Sequence, residues 1–455
     1  MESQQNLGTE RISVLLLKYS VPAIIGMLVN SLYNIVDRIF IGNIKGVGSL
    51  AITGLGVTLP IMTLILAFGL LIGIGTTATI SLKLGEGKTE EAQKLIGNAL
   101  TLSIIAGIFV TVVGLTFEDQ ILIAFGASEN TLPYAKEFIT IIFMGSIVNL
   151  ISFSLNHTIR GDGRPAVSAG IMIIGCLTNV VLDYILVFKL GVGIRGAAIA
   201  TVTSQTITAA LTLYYYLSGK SNLKFEKKNM KLDIRVVKMI FSIGMSSFAM
   251  QIAACCVQVI ANYALKSYGG DLAIGAMATI QSVSMLFMMP VFGINQGSQP
   301  IVGYNYGAKQ YDRALKTFFG SVAVATVILT VGFLAIQIFP YQIVGIFNKD
   351  PKLMAITVNG MRIYSKMMWI IGISVVGSVF IQSIGKAKVS LVLSLLRQVL
   401  LLIPFLIILP RFFGLNGVWM AQPIADTVSF VVTSLVLVGE IRRQRKYMSG
   451  TQLQS

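Results

Sequence analysis

Two carboxylates interrupt stretches that otherwise read as hydrocarbon: Asp37 in NSLYNIVDRIFIGN (30–43) and Asp183 in NVVLDYIL (179–186). A carboxylate near the bilayer centre costs about 2.5–3.5 kcal/mol on insertion scales, so it normally faces a cavity and marks an ion path. Helical spacing puts Tyr33 and Asn34 at i−4 and i−3 of Asp37, with Asn30 one turn further down, and Asn179 at i−4 of Asp183. Thr201, in the next apolar stretch, brings a hydroxyl to the level expected for Asp183. Two carboxylates in one partly dry pocket cannot both ionise cheaply, so a transmembrane proton gradient could load and unload them. The same carboxylate, amide and hydroxyl oxygens would also suit Na⁺. Arg38 follows Asp37 directly but points about 100° away around a helix, which makes it a poor counter-ion. A third acid, Asp426, has no equivalent in the first half and is expected to pair locally with Thr427, Ser429 or a neighbouring span. Arg397, a lone cation within a span, is expected to pair with backbone carbonyls.

Such residues need helices long enough to hold them in a bilayer. The chain has 455 residues, 55% hydrophobic and only 12% charged, about half the charged share of a soluble domain. Apolar runs of roughly 20 residues, each able to cross about 30 Å of hydrocarbon, recur from end to end. Hydropathy gives twelve spans, at 13–42, 50–82, 95–116, 134–158, 166–189, 193–218, 236–267, 271–303, 315–340, 354–383, 388–410 and 414–440. Of the Lys and Arg residues, 23 lie near one side of these spans and nine near the other, while Arg362, Lys366 and Arg397 fall within spans. The richer side is cytoplasmic, and an even number of spans returns both termini to it. The net charge of +16 therefore reflects topology, and no nucleic-acid partner is expected. The N-terminus MESQQNLGTERI lacks an apolar stretch followed by a small-residue cleavage site, so no signal peptide is expected.

The chain also repeats itself. GIGTTATISLKLGEGKTEEAQK (73–94) aligns without a gap with NQGSQPIVGYNYGAKQYDRALK (295–316), matching Gly75 with Gly297, Gly85 with Gly307 and Lys94 with Lys316. In nearly the same register GVGIRGAAIA (191–200) resembles FFGLNGVWMA (412–421), and RGDGR (160–164) resembles IGKAK (384–388). Six spans followed by six with the same inner-loop landmark indicate a parallel duplication with a pseudo-twofold axis along the membrane normal. The expected fold is all-α: twelve transmembrane helices in two six-helix lobes, 1–218 and 235–455, joined by a cytoplasmic linker at 219–234, around a central cleft. That is a transporter architecture with its site at the interface. Pro22, Pro60, Pro290, Pro404 and Pro423 interrupt spans, and Pro22, some four turns before Asp37, is the candidate functional bend. Gln258, Asn262, Gln281, Asn295, Gln296, Gln299 and Gln398 make the second half polar without being acidic. With the methionines of MLFMM (285–289) they suggest an adaptable substrate lining. Asn30, Gln258, Met288, Asn295 and Gln299 are the candidate cavity residues.

Enzymatic chemistry finds no support. Cys176, Cys255 and Cys256 lack ligand spacing and are expected to be buried small hydrophobes, and His157 is the only histidine. GEGK (85–88) lacks the spacing of a phosphate-binding loop, so neither a cofactor nor a structural metal is expected, only a coupling H⁺ or Na⁺.

YNIVDRIFIG, NVVLDYIL, GIRGAAIAT and the duplicated G–x₉–G inner loop together resemble the multidrug and toxic compound extrusion (MATE) family across essentially the whole chain. The resemblance is nearest to bacterial branches that keep their acids in the N-terminal lobe, the MepA-like efflux pumps among them. It implies cation-driven export of large, often cationic amphipathic compounds by a multi-pass protein, expected as a monomer in the bacterial cytoplasmic membrane. It also implies a cation site at Asp37, Asn179, Asp183 and Thr201, with the Ala197 carbonyl as a further oxygen, Tyr33 and Asn34 nearby, and Pro22 at the bend of the first helix. One branch places a glutamate in the seventh span, but AMQIAACCVQVIANYAL here has no acid. A flippase for lipid-linked precursors, from the same superfamily, is the alternative, although it would want a cationic cleft. An ion channel is the alternative from another class.

Overall fold

The computed structural model describes residues 7–42, 48–129, 131–347 and 350–452, excluding the side chains of 30–54, 271, 447 and 449–452. The described residues form helices and turns, with no strand. This follows from the solvent: in hydrocarbon a helix satisfies its own amides, whereas an open sheet edge cannot.

The spans run in order as α1 (Ile12–Gly42), α2 (Gly48–Gly85), α3 (Thr89–Thr116) and a broken α4 (Leu132–Met144 and Ser146–Gly161, bent by 60°). Then come α5 (Pro165–Asp183, continued as a π-helix over Tyr184–Lys189), α6 (Ile194–Leu217), α7 (Ile234–Gly270) and α8 (Leu272–Gly307). Next are α9 (Tyr311–Ile338) and α10 (Pro351–Ser383). The last apolar stretch, Ala387–Lys446, is 60 residues long, which at about 1.5 Å per residue is roughly three membrane thicknesses. Gly414, at φ 55°, divides it into α11 and α12. The chain is thus an all-α membrane protein of twelve spans, as hydropathy suggests.

The duplication is visible in local detail. Short helices at Glu118–Ala124 and Pro340–Phe347, which hydropathy misses, start at positions that correspond in the register pairing Gly75 with Gly297. The loop after α2 turns through Gly87 at φ 76°, and the loop after α8 turns through Lys309 at φ 60°. The second copy therefore holds a left-handed conformation without glycine, a conformation costing roughly 1–2 kcal/mol.

The contacts divide the chain into two compact units, the first comprising Met1–Thr9 and Ile25–Phe248, the second Glu10–Ile24 and Ala249–Ser455. The division cuts α1 after Ile24 and α7 after Phe248, nearly equivalent points of the two repeats, so each unit includes the N-terminal half of the other repeat's first helix. Within unit 1, α2 crosses the N-terminal half of α7 so closely that a Cβ on Gly75 would collide with the Ile240 carbonyl, and one on Gly244 with that of Leu71. Within unit 2, α8 crosses the N-terminal half of α1 likewise: a Cβ on Gly297 would lie 2.7 Å from Ser20 Cα, and one on Gly293 2.7 Å from Ile24 Cα. Small residues at these crossings let two backbones meet, the usual basis of helix association in lipid. The matched pair Gly75/Gly297 of the sequence repeat thus marks two equivalent crossings.

Segment 219–234 is part of unit 1 and packs on α3. Asn98 of α3 donates to the carbonyls of Asn229 (3.1 Å) and Lys231 (3.3 Å) and accepts from Asp233 N–H (2.9 Å), while Thr101 donates to the Met230 carbonyl (2.7 Å). Gly75→Val should lower the apparent melting midpoint sharply, since forcing atoms into a packed crossing costs about 1–3 kcal/mol or more. Gly345→Ala, where a Cβ meets nothing within 4 Å, should leave it unchanged or raised, as thermal unfolding of the purified protein would show.

Candidate functional site

Asp183 is the last α-helical residue of α5 and is fully buried. The ladder then slips into the π-helix Tyr184–Lys189, whose wider turn is often found at functional sites. Gly191 and Gly193 then turn the chain at φ 64° and 68°, and Gly196 of α6 abuts Leu186 of the π segment. This short GVGIRG connection sets the first turns of α6 against the end of α5.

Asn179 and Thr201 are buried beside Asp183, and Ala197, one turn before Thr201 on α6, is buried too. With its nitrogen facing the carboxylate, the Asn179 amide donates to Asp183 Oδ2 at 2.8 Å and accepts from Thr201 N–H at 3.2 Å. The opposite orientation would aim the amide oxygen at the carboxylate and leave only a 3.4 Å bond to Thr201 Oγ1. Carboxylate, amide and hydroxyl are thus brought together, as their sequence spacing suggests. Such a group can exchange a proton or surround a small cation with oxygens.

Asn30, Tyr33, Asn34 and Asp37 belong to the helical α1, but their side chains lie outside the described residues. Register still relates the two acids. A Cβ on Gly26 of α1 would lie 2.6 Å from Met172 Cε of α5, and Asp37 and Asp183 each come eleven residues later along spans of the same direction. Helix α1 continues through Pro22, two residues before the unit boundary.

The candidate cavity residues of the second half do not gather into one cluster. Gln281 donates to Gln258 at 3.0 Å, and Gln258 to Asn262 at 3.0 Å, forming an amide chain across α7 and α8. Asn295 and Gln299 are buried more than three turns further along α8. Met288, between the two groups, packs against the apolar core of unit 2. Two expectations are corrected. Of the three cysteines expected to be buried only Cys176 is, whereas Cys255 is half-buried and Cys256 exposed on α7. Arg397 pairs with the buried Asp426 at 3.6 Å rather than with backbone carbonyls, and Gln422 donates to both carboxylate oxygens at 3.1 Å. Arg397 stands in the second π-helix, Leu396–Leu402.

Sequence reasoning missed three buried acids, Asp162, Glu118 and Glu440, of which Asp162 is the most enclosed. Asp162, in the RGDGR loop, has no solvent exposure. Its carboxylate accepts from Tyr215 Oη (2.5 Å) and from the N–H groups of Asn222 and Leu223 (3.0 Å each). Burial pushes its pKa up to about 6, although these donors and Arg164 favour the charged form. In the second half the aligned residue is Lys386, which pairs with the buried Glu440. The two copies of this loop thus carry opposite charges at the aligned position, a buried Asp162 in the first and a half-buried Lys386 in the second.

Two expectations follow. Asp426→Asn should cost on the order of 3 kcal/mol because it strands Arg397, and adding Arg397→Gln should recover part of the loss; equal melting midpoints for all variants would refute the pair. An acid whose folded pKa exceeds its ordinary value contributes stability at low pH and loses it as pH rises through the folded value. Between about pH 7 and about pH 5 the parent protein should therefore gain roughly 1 kcal/mol relative to Asp162→Asn, measured by parallel thermal unfolding.

Comparison with known proteins places this geometry in context. The family model described as MatE matches twice, at residues 22–185 and 246–408. Multidrug export protein MepA of Staphylococcus haemolyticus (strain JCSC1435) is 27% identical over 445 residues, covering 96% of this chain and 97% of that one. The solved MATE multidrug transporter DinF-BH is 38% identical with a TM-score of 0.89, covering 95% of this chain and 96% of that one. A MATE protein solved in a bent conformation superposes with a TM-score of 0.92 at 23% identity, covering 99% of each chain.

Proposed function

The chain belongs to the MatE family of transporters, and on that premise we propose that it is a cation-coupled antiporter exporting structurally diverse, often cationic amphipathic compounds by alternating access. The observation that carries this reading is the fully buried Asp183 carboxylate, held by Asn179 beside Thr201 where α5 changes to a π-helix. Asp37, Asp183, Asn179 and Thr201 would bind H⁺ or Na⁺, with the Ala197 carbonyl, Tyr33 and Asn34 completing the site. Pro22 would supply the bend of α1. Asn30, Gln258, Met288, Asn295 and Gln299 would contact substrate in a cleft between lobes 1–218 and 235–455, the linker being 219–234. The protein would act as a monomer in the bacterial cytoplasmic membrane, with both termini cytoplasmic, and would catalyse no covalent reaction. Relatives named as multidrug exporters support the substrate class.

The cycle follows from differential affinity. Cation binding in the outward-open state favours release of the drug and return to the inward-open state, and a ligand shifts this equilibrium only as far as its affinities for the two states differ. Exchange of one proton for one monovalent cation moves no net charge, so only the pH difference drives it, at about 1.4 kcal/mol per unit. A second ion would add roughly 2.3 kcal/mol per 100 mV, and two acids make that stoichiometry available.

Efflux of a cationic dye from proteoliposomes under pH and Na⁺ gradients, imposed separately, should show at least one of them driving export. Asp37→Asn and Asp183→Asn should each abolish that efflux while the protein stays folded and inserted. Undiminished efflux by either variant would remove the coupling assignment.

A further inference from the structure

The fourth span of each repeat is broken at matching places. In unit 1, α4 breaks at Gly145; in unit 2, α10 leaves the α-helix over Ser365–Met367 and passes through a 3₁₀ turn at Met368–Ile370. Gly145 and Met367 correspond in the register that pairs Gly75 with Gly297. Paired interruptions at corresponding positions of a duplicated transporter point to ligand sites, because irregular backbone at membrane depth survives only where it is packed or lines a cavity.

The two breaks are treated differently. In unit 1, Val202 fills the gap, its Cγ2 lying 2.5 Å from where a Gly145 Cβ would be, and Thr111 donates to the freed Phe143 carbonyl at 2.7 Å. In unit 2, Gln337 donates to the Arg362 carbonyl at 3.0 Å, but the break opens on a cavity of about 400 Å³. Met367, Met420 and Pro423 give it apolar walls, with Lys366, Asn416 and Thr427 as its polar contributions. Asn359 donates to Asn416 at 2.9 Å at its outer end, and Lys366 comes seven residues, about 10 Å, deeper along α10.

Charge defines what would fit there. Lys366 is exposed and makes no ion pair among the described residues, and Arg362, one turn earlier, is likewise exposed. The acid beside the cavity, Asp426, is already engaged by Arg397 and Gln422. An uncompensated ammonium within a span costs about 2.5–3.5 kcal/mol, a cost that a water-filled cavity or an anionic ligand offsets. The volume lies in the drug-sized range of roughly 300–1,000 Å³, small for a whole phospholipid.

We propose that the break in α10 forms a second ligand site, which takes a drug-sized amphiphile carrying one carboxylate with Lys366 as its counter-ion. This rests on the reading of the chain as an exporter of amphiphiles and extends its substrates to anionic and zwitterionic compounds. Hydrocarbon parts of the ligand lie against the Met420 and Pro423 wall, and the carboxylate meets Lys366 at the helix break.

The test is fluorescence titration of the full chain, in nanodiscs of phosphatidylcholine, with 11-(dansylamino)undecanoic acid and with its methyl ester. The parent protein should bind the acid about tenfold more tightly than the ester. Lys366→Met should erase that preference by weakening the acid alone, and Met420→Trp, which fills the cavity, should weaken both probes; unchanged melting midpoints establish that the variants are folded. A preserved acid preference in Lys366→Met, or equal weakening of acid and ester, overturns the proposal. So does complete displacement of the acid by phosphatidylglycerol added to the nanodisc, which would make this a lipid site. Because binding is read without a gradient, a protein that binds the acid yet exports nothing would refute the exporter reading and leave the site standing.

Discussion

A backbone amide that leaves its helix inside hydrocarbon has no water to bond with, so every departure from regular helix must be answered by the protein itself. Most of the features with functional interest here are answers to that demand. At the end of α5 the ladder is widened into a π-helix beside Asp183, and in α11 it is widened around Arg397. One π segment follows a buried acid, and the other carries the half-buried Arg397 that pairs with the buried Asp426. In α4 a threonine from a neighbouring helix receives the freed carbonyl, and in α10 a glutamine does so.

The same economy governs charge. Buried ionisable groups persist in a membrane protein only when paired, bonded or exposed to a cavity. Asp162 takes three donors, Lys386 takes Glu440, and Arg397 takes Asp426 with help from Gln422. These groups are satisfied within the protein and have structural roles. Asp183 is buried beside the neutral Asn179 and Thr201, and the Asn179 amide donates to its carboxylate.

Much of the fold was legible in the sequence because the bilayer simplifies the problem. A run of apolar residues has one stable outcome, and the register that pairs Gly75 with Gly297 survives as matched helices, loops and crossings. The Asn179–Asp183–Thr201 group was legible too, since two members share one helix face and a short glycine-rich turn brings the third. What escaped notice depends on residues far apart in the chain. Asp162 looks like a solvated loop acid, but its donors lie 53 to 61 residues away. The Arg397–Asp426 pair joins different helices, and Cys256 faces outward despite apolar neighbours, because hydropathy records composition and not facing. The short helices at 118–124 and 340–347 fall below any span-length threshold.

The unit boundaries within α1 and α7 bear on the origin of the chain. Unit 1 is completed by residues up to Phe248 from the second repeat, and unit 2 by Glu10–Ile24 from the first. Neither repeat contains all the residues of its own packed unit. A single-repeat ancestor built to this plan would have left a helix-wide groove in its bundle, filled only by the matching arm of a second copy. Such an exchange of identical arms between two copies is a low-cost route to a dimer. Gene fusion would then have joined two partners that already exchanged arms, and freed their once-identical loops to acquire opposite charges.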